Sequence, residues 1–170
     1  MSTLMEKNVS SQPMMGVCPR QAEYVFVLPN PPIMPASKDE QQLGCVPALI
    51  ALNGNHWRKI VTIIAKLTAP ELDLWRQWRD EMLTNNVAIV FSTGHTDKLT
   101  GKVFFVGNEV RGQVPVPDEA LVCGERHIAF VTNNRIWCPY LDYRQFPNVL
   151  VDELRQSIQN HRLESACFTC

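Results

Sequence analysis

The sequence predicts an α/β domain of three layers, with a mostly parallel central sheet flanked by helices. Three observations carry this. Tyr24–Leu28, Val87–Phe91 and Ile128–Val131 are short, continuous apolar runs rich in β-favouring residues, the pattern of strands covered on both faces. Two segments with helical periodicity lie between the first run and the second. A final helical segment follows the third, and such alternation favours parallel strands joined by helices.

In chain order, the first run is stopped by Pro29. Residues 29–35 contain four prolines, so they can hold neither a helix nor a ladder and predict a fixed, extended loop. Residues 36–46 read as an exposed connection. Asn53-Gly54-Asn55 is turn chemistry that can cap a helix. Trp57, Ile60, Val61, Ile64 and Leu67 then recur at spacings of three and four, one apolar stripe on a helix. Trp57 belongs to that stripe and is expected in the core. Thr68-Ala69-Pro70-Glu71 has the form of a capping box, opening a second helix that carries Leu72, Trp75, Trp78, Met82 and Leu83 and ends at Asn85-Asn86.

After the second run, Ser92 to Asp97 form a polar turn. Val103–Val106, Gly107-Asn108 and Glu109–Arg111 predict a hairpin, because Gly-Asn suits a two-residue turn. The third run enters Thr132-Asn133-Asn134-Arg135. Residues 136–146 read as a long irregular loop. Pro147 opens the last helix, with Val151, Leu154 and Ile158 as its buried stripe.

The chain has 170 residues, the length of one domain. Residues 1–20 are expected to be a flexible lead-in, 21–165 a single domain and 166–170 a tail. Apolar residues make up 45% and charged residues 19%, enough apolar surface for a core and too much for a disordered chain. Sixteen basic and seventeen acidic residues give a net charge of -1. That balance argues against a strongly basic nucleic-acid binder or a polybasic membrane protein. No run is long and apolar enough to span a bilayer, and the N-terminus lacks a secretory core. A cytoplasmic location without membrane attachment is therefore expected.

Of the six cysteines, Cys167 and Cys170 make a C-x-x-C at the end of the chain. A zinc site needs two further ligands, and no second C-x-x-C or H-x3-H exists. Redox pairs sit at helix starts, where the dipole lowers the thiol pKa, and this one follows a helix. No metal site and no cofactor are called for. The nucleotide-binding glycine motifs and the G-x-S-x-G elbow are also missing.

Polar residues gather after each predicted strand: Asn30, then Thr93–Asp97 with His95, then Thr132–Arg135. In open α/β sheets, sites form at such strand ends. His95 with Asp97 and His127 with Glu125 are candidate acid–base pairs. The segment 137–148 carries Tyr140, Asp142, Tyr143 and Arg144 without regular period. Aromatics with arginine are the chemistry of ligand or partner surfaces. A homodimer formed through this segment is one such partner.

Asn30 and its Pro-rich neighbours, with Gly54-Asn55-His56-Trp57-Arg58-Lys59 leading a helix, resemble the mismatch-specific uracil and thymine DNA glycosylases. That family ends its first strand in G-x-N-P-G and leads a helix with G-N-[RH]-F-W-K. A late strand there runs into N-P-S-G, which wedges into DNA ahead of a closing helix; Val131–Arg135 occupies that place here. The resemblance implies a uracil-DNA-glycosylase-like fold, a nucleic-acid partner, and a site of Asn30, which would orient the attacking water, with Asn55, His56, Asn133 and Asn134. Leu28 and Pro32 stand where the family has glycines, and the wedge lacks its Pro, Ser and Gly. The expectation is an α/β domain of this fold in which no intact motif demands base excision. Its alternative is a non-enzymatic interaction or small-ligand-binding domain acting through 137–148.

Overall fold

The structure is a computed structural model. It describes residues 13–36 and 45–167, with side chains to residue 160. Cys170 and the side chain of Cys167 lie outside the described residues. Among these are seven strands and five α-helices. Strands β1 (Met14–Gly16), β2 (Tyr24–Val27), β3 (Val87–Val90), β4 (Lys102–Val106), β5 (Leu121–Cys123), β6 (Ala129–Val131) and β7 (Arg135–Cys138) form one sheet. Its order is β1-β3-β2-β4-β7-β6-β5. The centre, β3-β2-β4-β7, is parallel, and β1 and β6 run antiparallel to their inner neighbours. The sheet is therefore mixed around a parallel core. Met14–Gly16 is an edge strand within the stretch read as a lead-in.

Helices α1 (Val46–Asn53), α2 (Asn55–Thr68), α3 (Trp75–Asn85) and α5 (Asn148–Cys167) contribute to one core. They cover Tyr24, Phe26, Phe104, Ile89 and Ile136 from alternate strand positions, as the two-residue period of a strand requires. Phe26 and Phe104 stack at its centre, 4.4 Å between ring centroids. The opposite face, with Val25, Val27, Val103, Phe105 and Trp137, is covered by Leu99 and by Val110 of α4 (Gly107–Gln113). Two faces each buried by hydrophobic cover explain why the strands read as continuous apolar runs.

Several expectations are corrected. Gly107 does not turn a hairpin: its φ of +83° admits the chain to helix α4, which spans the predicted second strand. Ile128–Val131 is not a central parallel strand; residues 129–131 form β6, antiparallel to β7. The first part of the supposed irregular loop is β7 itself, a parallel core strand. The capping box does not form. The Thr68 hydroxyl donates to the Ile64 carbonyl at 2.8 Å and accepts from Trp78 Nε1 at 2.9 Å, and a 3-10 turn, Leu72–Leu74, leads into α3. Val46–Asn53, partly read as connection, is α1, with Pro47 in its first turn. Trp57 is buried, as its stripe position requires.

Candidate functional site

The chain leaves β2 for the α1–α3 layer and returns in β3. It leaves β4 for α4 on the opposite face. The C-terminal ends of β2 and β4 are thus where connections diverge, the place at which open α/β sheets form a crevice. Val27 pairs with Phe105, so Pro29 and Gly107 lie two residues beyond, at the two lips. Asn30 follows, exposed. The proline loop behind it is anchored by Asn53, the last residue of α1. Asn53 Oδ1 accepts from Ile33 N at 2.8 Å, and its Nδ2 donates to Ile33 O at 2.9 Å and Leu49 O at 2.9 Å.

Two elements meet at this edge. Gly54, with φ +71°, ends α1 and starts α2, so His56 stands in the first turn of α2. The loop 139–147 leaves β7 and carries Tyr140. His56 Nε2 lies 2.8 Å from Tyr140 Oη, their rings stacked at 5.8 Å. Gly107 leaves room for Tyr140: a Cβ there would stand 3.3 Å from its Cδ2. One turn along α2, Lys59 Nζ reaches Asp142 Oδ2 at 3.4 Å and sits 5.7 Å from the Tyr143 ring centroid. Asp142 also accepts from Arg144 N at 3.0 Å, closing the loop on itself.

These contacts set the electrostatics. The Arg144 amide, and then Lys59, hold the Asp142 carboxyl below its ordinary range, against partial desolvation. Burial, helped by the Asp142 charge, pushes the Tyr140 phenol up, so it stays a neutral hydroxyl. The edge therefore presents an imidazole, a neutral phenol, the Lys59–Asp142 ion pair and two exposed side chains, Tyr143 and Arg144. It can hydrogen-bond a polar ring edge, and Arg144 can attract negative charge.

The structure brings His56 together with Tyr140, Asp142, Tyr143 and Arg144. Asn55 shares the same helix start, where its Oδ1 accepts from Arg58. Asn133 and Asn134 do not join them. They form the turn between antiparallel β6 and β7, at the N-terminal edge, where Lys102 Nζ donates to Asn133 O and Val103 N to Asn134 O. A strand of four or five residues, about 15 Å, separates that edge from Asn30. His95, at φ +67°, lies on the crossover from β3 to β4. Its neighbour Thr96 is held by Arg135 at the start of β7, which turns the segment toward the N-terminal edge. Neither His95–Asp97 nor His127–Glu125 is joined by a hydrogen bond. Among the described residues, no three His, Cys, Asp or Glu side chains are placed to share a metal ion. No helix among them is long and apolar enough to cross a membrane.

Sequence reasoning missed Lys59, Gly107 and Asn53. Lys59 closes the Gly54–Lys59 motif and Gly107 reads as a hairpin turn, but nothing local points to their partners, which lie 83 and 33 residues away. Asn53 carried a signal, a turn Asn before Gly54, that was read only as a cap.

A protein-family profile described as a family of unknown function, DUF6942, matches residues 15–159. The chain belongs to this family. The match runs from the second residue of β1 into α5, so the DUF6942 region includes strands β2–β7 entire and the C-terminal edge just described. No curated protein and no solved structure matches the chain.

Proposed function

We propose that this DUF6942 domain binds a small planar ligand, a nucleobase or a ring of similar hydrogen-bonding pattern, at the C-terminal edge of its parallel strands. The observation that carries this is the 2.8 Å contact of His56 Nε2 with Tyr140 Oη at that edge. In the tautomer with Nε2 protonated, His56 donates to Tyr140 Oη, and the neutral phenol keeps its O–H donor and one lone pair for a ring edge. Tyr143 supplies an exposed ring, and Arg144 a cation for a phosphate carried by the ligand. The test is calorimetric titration with uracil and uridine monophosphate. Saturable binding is expected, weakened about tenfold, or about 1.4 kcal/mol, by Tyr140→Phe. Absence of heat, together with unchanged amide NMR signals over residues 54–59 and 139–146, would overturn it.

A second reading is favoured by one relationship. Asn30 lies three residues beyond the end of β2, the first parallel strand, and the loop 139–147 runs from the last parallel strand into the closing helix. That is the place the DNA wedge takes in the mismatch glycosylases. On this reading Asn30 orients a water, the carry-over of the wedge shifts from Asn133 to 139–147, and duplex DNA is the partner. Release of uracil from a G·U duplex, abolished by Asn30→Ala, would support it; no release at stoichiometric enzyme would rule it out.

A further inference from the structure

A second surface lies away from this edge. A groove of about 660 Å³ runs between the turn joining α2 to α3 and the start of α5; Trp75 forms one wall. Three cations crowd that indole: Arg76 Cζ at 4.8 Å, Lys66 Nζ at 5.0 Å and Arg79 Cζ at 5.8 Å from the ring centroid. Lys66 bonds to the neutral Asn148 side chain; among the described residues Arg76 has no ion pair, and Arg79 has Asp80 at 3.8 Å and donates to the Thr62 hydroxyl at 3.4 Å. Three like charges gathered on one ring repel one another, and the ring offsets only part of that. Asp73 and Asp152 also line the groove but lie beyond ion-pair distance of these cations. Leu72, which also lines the groove, is 37% exposed. Trp and Arg are residues that protein-binding hot spots favour.

We propose that this groove docks an acidic peptide segment of a partner protein, its carboxylates on Lys66 and Arg76 and an apolar side chain against Leu72 and Trp75. Lys66 and Arg76, which have no carboxylate within ion-pair distance among the described residues, select the anion, and Leu72 beside Trp75 favours a peptide over nucleic acid. A base would have to displace one of the three cations to stack on the indole.

Trp75 is its own reporter, because Trp57, Trp78 and Trp137 are 4%, 8% and 4% exposed. The probe is a fluorescein-labelled peptide, Glu-Glu-Leu-Phe-Glu-Glu, read by anisotropy in low salt; unlabelled peptide is used for tryptophan emission. Saturable binding is expected, accompanied by a change in emission that Trp75→Phe removes. Arg76→Glu should weaken binding about tenfold, while Arg126→Glu, on the β5–β6 turn, changes it less than about twofold. Arg76 is exposed, so the variant should fold, and its thermal melt checks this. Three outcomes overturn the proposal: no binding, equal loss from both charge reversals, or tighter binding of a ten-residue oligothymidylate than of the peptide.

Discussion

Asn53 holds the peptide of Ile33 from both sides, accepting from its N–H at 2.8 Å and donating to its carbonyl at 2.9 Å. A side-chain amide is the only group of this size that offers a donor and an acceptor side by side. It fastens a loop that prolines stiffen but cannot anchor. Asn53→Ala should cost about 1–2 kcal/mol, near the net value of one to two hydrogen bonds in a half-exposed place. Asn53→Asp should not rescue it, because the donor is lost and a negative charge is added at the C-terminus of α1. Chemical denaturation of the two variants checks both statements; a wild-type midpoint for Asn53→Asp would contradict the second.

Arg135 ties the crossover to the sheet. Its guanidinium donates to the carbonyls of Gly101, Asn134, Thr96 and Leu99 at 2.8–3.1 Å. Burial lowers its pKa, and Asp97 opposes that shift, but an arginine remains charged at any ordinary pH. Arg135→Met keeps the stem and removes the donors. A loss of about 2–3 kcal/mol is expected from the four hydrogen bonds removed, although the Asn134 and Thr96 carbonyls keep backbone donors in Val103 N and Leu99 N. Lysine cannot reproduce the planar fork, so Arg135→Lys should recover less than half of that. Thermal unfolding measures both.

Thr68 and Trp78 pin α3 onto α2. Thr68→Val preserves shape but strips the acceptor from a buried indole N–H. The expected loss is about 1–3 kcal/mol. Thr68→Ser, which keeps the hydroxyl, should lose markedly less, and a reversed order in urea melts would show the hydrogen bond is not the cause.

The carboxyl of Asp142 titrates below its ordinary range, chiefly because the Arg144 amide bonds to it. A depressed carboxylate stabilises the fold above its unfolded pKa of about 3.9, and that contribution is lost as pH falls through the folded value. Asp142→Asn should therefore flatten the dependence of stability on pH below about pH 4 and leave the slope near neutrality unchanged. Unfolding free energies between pH 2 and 7 test this, and unaltered acid slopes would refute it.

Cys123 and Cys138 are buried, and burial pushes the Cys123 thiol up to about 11 and the Cys138 thiol higher still. Thiolate is the reactive form, so both should resist labelling at pH 8. Cys18 is exposed and should react at once. Mass-mapped labelling before and after denaturation distinguishes them. Modification of native Cys138 at the rate of Cys18 would contradict the buried position.

The layered α/β class, the two long helices at 55–85 and the central strands β2 and β3 were legible because local periodicity and burial agree there. The Trp57 stripe and the run Tyr24–Leu28 needed no distant information. The strand β7 and the helix α4 were not legible. Trp137 and Cys138 become a strand only because β4 supplies the ladder, and Gly107 opens a helix at φ +83° packed against Tyr140, 33 residues away. Direction was invisible too. Nothing local tells Ala129–Val131 to run antiparallel, and that single reversal carries Asn133 and Asn134 to the far edge.

By itself the sequence determined that this chain buries a core, which segments are apolar on both faces, and that Tyr140, Asp142, Tyr143, Arg144 and His56 were worth watching. Only the tertiary structure decided that these five share one edge, and that Lys59, Gly107 and Asn53 support it. The physical reason is sequence distance. Periodicity reports the burial of a side chain within its own element, whereas a site is made by contacts such as His56 with Tyr140, 84 residues apart, which follow from strand order and direction alone.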